Sequence, residues 1–87
     1  MRETSYTMKK AYAENGTPLA LTYSVLVSDG DNELKHYGVK IVEENSGSHA
    51  QALDLTTDAE QIHSLLDKLS RNTVTPAGLM DILADWL

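Results

Sequence analysis

The chain has 87 residues, thirteen acidic against seven basic for a net charge of −6, and no cysteine. The length sets an expectation of one domain over residues 1–87 with a small core, and the missing thiols exclude disulfide staples, thiolate metal centres and cysteine nucleophiles. The acidity places nucleic-acid binding at a disadvantage, because a phosphate backbone is repelled by an acidic surface.

A first strand is expected over residues 4–13, with Tyr6, Met8 and Tyr12 sharing one parity and Lys9 and Lys10 interrupting the pattern. Glu14-Asn15-Gly16-Thr17-Pro18 then reads as a turn, since Asn-Gly supplies the positive φ values that tight hairpins require. A second strand carries the clearest period-2 pattern of the chain. Leu19, Leu21, Tyr23, Val25 and Val27 share one side and Ala20, Thr22, Ser24 and Ser28 the other, with Leu26 breaking the alternation. Ser28-Asp29-Gly30-Asp31-Asn32-Glu33 is the next turn, rich in residues that tolerate left-handed backbone. A third strand presents Tyr37, Val39 and Ile41, Glu44-Asn45-Ser46-Gly47-Ser48 closes the hairpin, and a fourth strand from His49 to Leu55 points Leu53 and Leu55 inward.

Two helices follow. Thr57-Asp58-Ala59-Glu60 has the Ser/Thr-x-x-Glu spacing of a capping box. Ile62, Leu65, Leu66 and Leu69 supply the first apolar stripe, and Asn72 is a left-handed stop. In the second helix Thr75 is the N-cap and Pro76 the first helical residue. Leu79, Ile82, Leu83 and Trp86 recur at i, i+3, i+4 and i+7, opposite Asp81 and Asp85. Strands followed by helices give an α+β domain: a meander of three or four antiparallel strands with two C-terminal helices on one face. The segment up to Leu53 carries seven acids and five bases, net −2, and the remainder six acids and two bases, net −4, so the helical end is the more acidic.

Three blocks carry a family resemblance. They are Tyr37-Gly38-Val39-Lys40-Ile41; Asp54-Leu55-Thr56-Thr57-Asp58; and Leu69-Ser70-Arg71-Asn72-Thr73-Val74-Thr75-Pro76 with the closing Asp81-Ile82-Leu83-Ala84-Asp85-Trp86-Leu87. In this order they resemble a family of small uncharacterised proteins from clostridial and related Firmicutes. The resemblance covers roughly residues 19–87 and leaves out the N-terminal strand. It implies a bacterial, cytoplasmic context and brings no activity, cofactor or catalytic residue with it.

The polar constellations are weak. His36, His49 and His63 share no compact ligand spacing, so no metal is expected. Asp29-x-Asp31-x-Glu33 begins like a calcium loop, but the glycine and the bidentate glutamate it needs are replaced by Leu34 and Lys40. Asp54 between Leu53 and Leu55 is the best carboxylate for acid–base work, with backbone hydrogen bonding near the first helix as its plainer role. Glu43-Glu44 reads as solvated, and no phosphate loop, nucleophile elbow or catalytic triad order occurs. Tyr6, Tyr12, Tyr23 and Tyr37 with Arg2, Lys9, Lys10, Lys35 and Lys40 could form a single-stranded nucleic-acid platform, against which Tyr23 and Tyr37 share the parity of core residues.

The expectation is therefore a non-catalytic protein-interaction module of the cytoplasm, with no cofactor, no catalytic residue and no membrane span. It would bind a protein partner or a second copy through Leu79, Met80, Leu83, Trp86 and Leu87 of the C-terminal helix, or through a sheet edge. A small-ligand site or enzyme near Asp54 and His49 is the alternative, followed by single-stranded nucleic-acid binding.

Overall fold

The computed structural model describes residues 1–30 and 34–86. Strands β1 (Arg2–Tyr12), β2 (Pro18–Asp29), β3 (Lys35–Glu43) and β4 (His49–Thr56) form an antiparallel sheet in the order β1-β2-β3-β4. Helix α1 (Ala59–Arg71), a 3₁₀ turn (Pro76–Gly78) and α2 (Leu79–Trp86) follow. The α+β layout read from the sequence is the one observed. The Asp31–Glu33 part of the second turn, with the calcium-loop reading that uses it, lies outside the described residues.

Alternation in β2 and β3 decides which face the helices cover. Leu21, Tyr23, Val39 and Ile41 are buried in one cluster with Ile62, Leu65, Leu66, Leu69, Leu79 and Leu83. At its centre, the Tyr23 hydroxyl donates to the Val74 carbonyl oxygen at 2.9 Å, tying the sheet to the link between α1 and α2. Burial pushes the Tyr23 phenol up from 10.0 to about 12, since the phenolate would lose its hydration.

Two bulges alter the expected parity. In β1, Ser5 pairs with Ser24 and Thr7 with Tyr23, which leaves Tyr6 as an extra residue. Tyr6 therefore does not share a face with Met8 and Tyr12; its ring lies 5.8 Å from that of His63 on α1. Between β3 and β4, Val39 pairs with Ala52 but Tyr37 with Thr56, so β4 holds two residues more than β3. Asp54 takes φ 53° in this bulge. Ala50, Ala52 and Leu55 pack toward the core, and Leu53, expected to point inward, is 47 % exposed. Gly38 admits the bulge: a Cβ there would collide with the Ala52 carbonyl oxygen and approach the Leu53 Cα to 3.0 Å.

The helix ends differ in detail from the sequence reading. Asp58, not Thr57, is the N-cap of α1, its carboxylate accepting from the Glu60 N–H at 2.9 Å. Thr56 Oγ1 in turn accepts from the Asp58 N–H, so the cap is built one residue later than a capping box starting at Thr57. At the other end Asn72 keeps φ −93°, and Thr73 takes the left-handed position at φ 46°. Val74 N–H donates to the Leu69 carbonyl and Thr73 N–H to the Ser70 carbonyl, the two bonds of a Schellman motif. Asn72 instead donates its side-chain amide to the Lys68 carbonyl at 2.9 Å. Pro76 opens a 3₁₀ turn before α2, and Thr75 at its cap makes no side-chain capping bond.

Two measurements test this packing. Gly38→Ala is expected to lower unfolding stability in urea by about 1–3 kcal/mol, because backbone obstructs the added methyl; an unchanged midpoint would mean that the bulge gives way. Below pH 10 the Tyr23 phenol is neutral in both states; between pH 10 and about 12 it ionises only when unfolded, so stability falls as pH rises. Relative to Tyr23→Phe, the wild type should lose on the order of 2–3 kcal/mol across that window, and parallel pH profiles would refute the assignment.

Candidate interaction surface

The apolar stripe of α2 is largely spent within the fold. Leu79 and Leu83 are buried, Ile82 and Trp86 are half-buried against the core, and Met80 is 63 % exposed. Leu87 lies outside the described residues. Of the four described residues among those proposed from the sequence, Met80 is exposed and Trp86 half-buried. Trp86 lines an open cleft of about 610 Å³ with Leu55, Asp58, Glu60, Gln61 and Ser64. Asp58 is already committed there to capping α1, and Gln61 accepts from the Thr56 hydroxyl at 2.9 Å.

The residues of the alternative site are separated. His49 opens β4 and Asp54 sits in the bulge near its end, about 16 Å along the strand at ~3.3 Å per residue. Asp54 meets two other polar groups: its Oδ1 lies 3.4 Å from Ser28 Oγ and 3.9 Å from His36 Nδ1. The exposed carboxylate accepts the serine hydroxyl on one side and neighbours the imidazole on the other. Tyr23 and Tyr37 face the helical layer, which removes them from any stacking platform on the open side of the sheet. Among the described residues, no group of three His, Asp or Glu side chains could hold a metal ion, and no helix is long and apolar enough to cross a membrane.

The opposite face of the sheet carries no helix. Register places Met8, Lys10 and Tyr12 of β1 beside Thr22, Ala20 and Pro18 of β2, on the side away from Leu21 and Tyr23. Glu3 and Lys40 form a 3.2 Å ion pair across β2. Their partners in register are Leu26 and Ser24, both buried although no helix lies above them. The ion pair and the aliphatic stems of its residues are the lid over this part of β2.

β1 is an edge strand, hydrogen-bonded only to β2. Met8 is 59 % and Tyr12 77 % exposed on it. Its lone acid, Glu3, is held by Lys40, and among the described residues Arg2, Lys9 and Lys10 have no carboxylate within 4.0 Å. Lys35 and Arg71, by contrast, pair with Asp29 and Asp67. The sequence named a sheet edge as an alternative contact without saying which strand supplies it; the lysine pair that spoils the alternation of β1 was the visible signal.

The chain belongs to a family of unknown function, DUF6514, whose model matches residues 2–87 and so includes β1. It matches no curated protein and no solved structure.

Docking of α2 makes Trp86 a reporter. Its emission is expected to be blue-shifted, partly quenched by iodide and unchanged over a wide dilution series, because its cover comes from the same chain. Protection that vanishes on dilution would mean that a second copy supplies the cover.

Proposed function

We propose that this member of DUF6514 is a small, non-catalytic protein-interaction module of the bacterial cytoplasm, from a clostridial or related Firmicute. The contact is made by the sheet, through β1 and the uncovered face beside it. The observation that carries this reading is the division of labour between the two layers. The helices use their apolar stripes inside the fold, while β1 leaves one backbone edge unpaired beside exposed Met8 and Tyr12. An unpaired edge offers donors and acceptors in register, and neighbouring apolar side chains add contact area. The separation of His49 from Asp54, and the exposure of the Asp54 carboxylate, support binding over catalysis, since acid–base work needs a carboxyl in an apolar pocket with its partner group beside it.

Photo-crosslinking residues placed singly at Met8, Tyr12, Met80 and Asp81 of the full chain in cells would test the assignment. Adducts with the same protein are expected at Met8 and Tyr12 and not at the two α2 positions. Adducts confined to Met80 and Asp81 would restore the helix as the contact, and none at any position would overturn the interaction reading.

A further inference from the structure

The edge of β1 is not uniform. Its bulge at Tyr6 separates a short N-terminal part from the regular ladder Thr7–Tyr12, which pairs residue by residue with Tyr23–Pro18. A bulge twists the strand and interrupts any further pairing at that point, so only the second part is a continuous template, about 20 Å long at ~3.3 Å per residue. Both free lysines lie on it, Lys9 on the helix side and Lys10 on the uncovered side. At its end is a cleft of about 360 Å³ lined by Lys10, Ala11, Tyr12, Pro18, Leu19, Ala20 and Asn45. The Asn45 amide donates to the Pro18 carbonyl at 3.0 Å, which fixes one wall.

We propose that the Thr7–Tyr12 edge accepts an extended acidic segment of a partner protein as a fifth strand, with one apolar side chain of that segment seated in the cleft beside Tyr12. This rests on the interaction reading above and names its partner class. Charge is the deciding observation. β1 holds three bases and one acid, net +2, on a chain of net charge −6, so everything outside β1 sums to −8. Because Glu3 is already held by Lys40, the uncompensated charge on β1 is positive on both of its faces. Carboxylates alternating across an added strand would meet Lys9 on one face and Lys10 on the other, while the acidic remainder of the domain would repel that strand from every other surface. Like charges screen out most alternatives: a second copy would bring the same three cations to the contact. The cleft adds what charge lacks, a place for one side chain of the added strand, and main-chain bonds with side-chain pockets are how strand addition combines affinity with selectivity.

The test is a selection of random twelve-residue peptides displayed against the immobilised full chain. The enriched sequences would then be synthesised and titrated by fluorescence polarisation at 50 and 200 mM salt. Enrichment of Asp and Glu with no Pro in the core of the peptide is expected, with affinity falling at the higher salt. Lys9→Glu/Lys10→Glu, checked for an unchanged melting curve, should weaken binding at least tenfold. Amide exchange should slow over Thr7–Tyr12 in the complex. Ala20→Leu, which fills the cleft and keeps every charge, should weaken the same peptides and separates the pocket from the lysines. Peptides without acidic bias, equal binding by the charge-reversed variant, or protection elsewhere would overturn the proposal and leave the interaction reading standing. Dimers protected over Thr7–Tyr12 would overturn it in favour of a second copy, and displacement of the peptide by oligouridine in favour of nucleic acid. If no peptide is enriched while crosslinks still form at Met8 and Tyr12, the partner is a folded surface and strand addition is wrong.

Discussion

One hydrogen bond holds the two layers in their relation: Tyr23 on β2 to the Val74 carbonyl at 2.9 Å. Tyr23 is fully buried and in the middle of the sheet, and Val74 lies in the link between α1 and the 3₁₀ turn. A buried phenol needs a partner, and a carbonyl beyond a helix end needs a donor, so each group removes the other's desolvation cost. The same bond fixes where the chain turns back, and hence where Leu79 and Leu83 arrive on the cluster. The left-handed Thr73 serves that turn too. A β-branched residue at φ 46° is unfavourable, and it persists because the two Schellman bonds and the Tyr23 contact together hold the reversal in place.

Much of this was legible in the residues. Alternation in β2 and the stripes of both helices identified nearly every core side chain, because hydrophobic period is a property of local sequence and burial follows it directly. What escaped was set by relations between strands. Leu53 follows Ala50 and Ala52, whose pairing with Ile41 and Val39 turns the even positions of β4 inward and Leu53 outward; the two extra residues of the bulge then return Leu55 to the core, and the room for that bulge is made by Gly38 on the neighbouring strand. Tyr6 is displaced from Met8 and Tyr12 in the same way. The N-cap moved from Thr57 to Asp58 because Thr56 was available to hold the Asp58 N–H, a competition between adjacent capping residues that spacing alone does not decide.

The site followed the same division. Reading the α2 stripe as an interaction surface and reading it as core draw on identical residues, and the choice depends on whether the sheet has an apolar face free to receive it. It has: Leu21, Tyr23, Val39 and Ile41 take up Leu79 and Leu83. Eight residues of helix present too narrow a stripe to serve a core and a partner at once. The exposed face of the sheet was hidden for the complementary reason, since Met8 and Tyr12 stand there among small and polar side chains and gain their meaning only from lying beside an unpaired edge.

Lysines on an edge strand oppose pairing with other edges, and that protection is the plain physical role of Lys9 and Lys10. Protection of this kind is conditional on the charge of what approaches. A neutral or basic strand, including a second copy of β1, must bury or crowd an ammonium group; an acidic strand converts the same groups into attraction. A guarded edge is therefore also a selective one, and the selectivity costs the fold nothing because neither lysine contributes to the buried cluster. The Glu3–Lys40 pair sharpens it. By binding the lone carboxylate of β1 across β2, Lys40 holds Glu3 beside the buried Leu26 and leaves the strand's own cations without a carboxylate partner among the described residues. The contact that closes the uncovered face thus determines the sign of the charge left free on its edge.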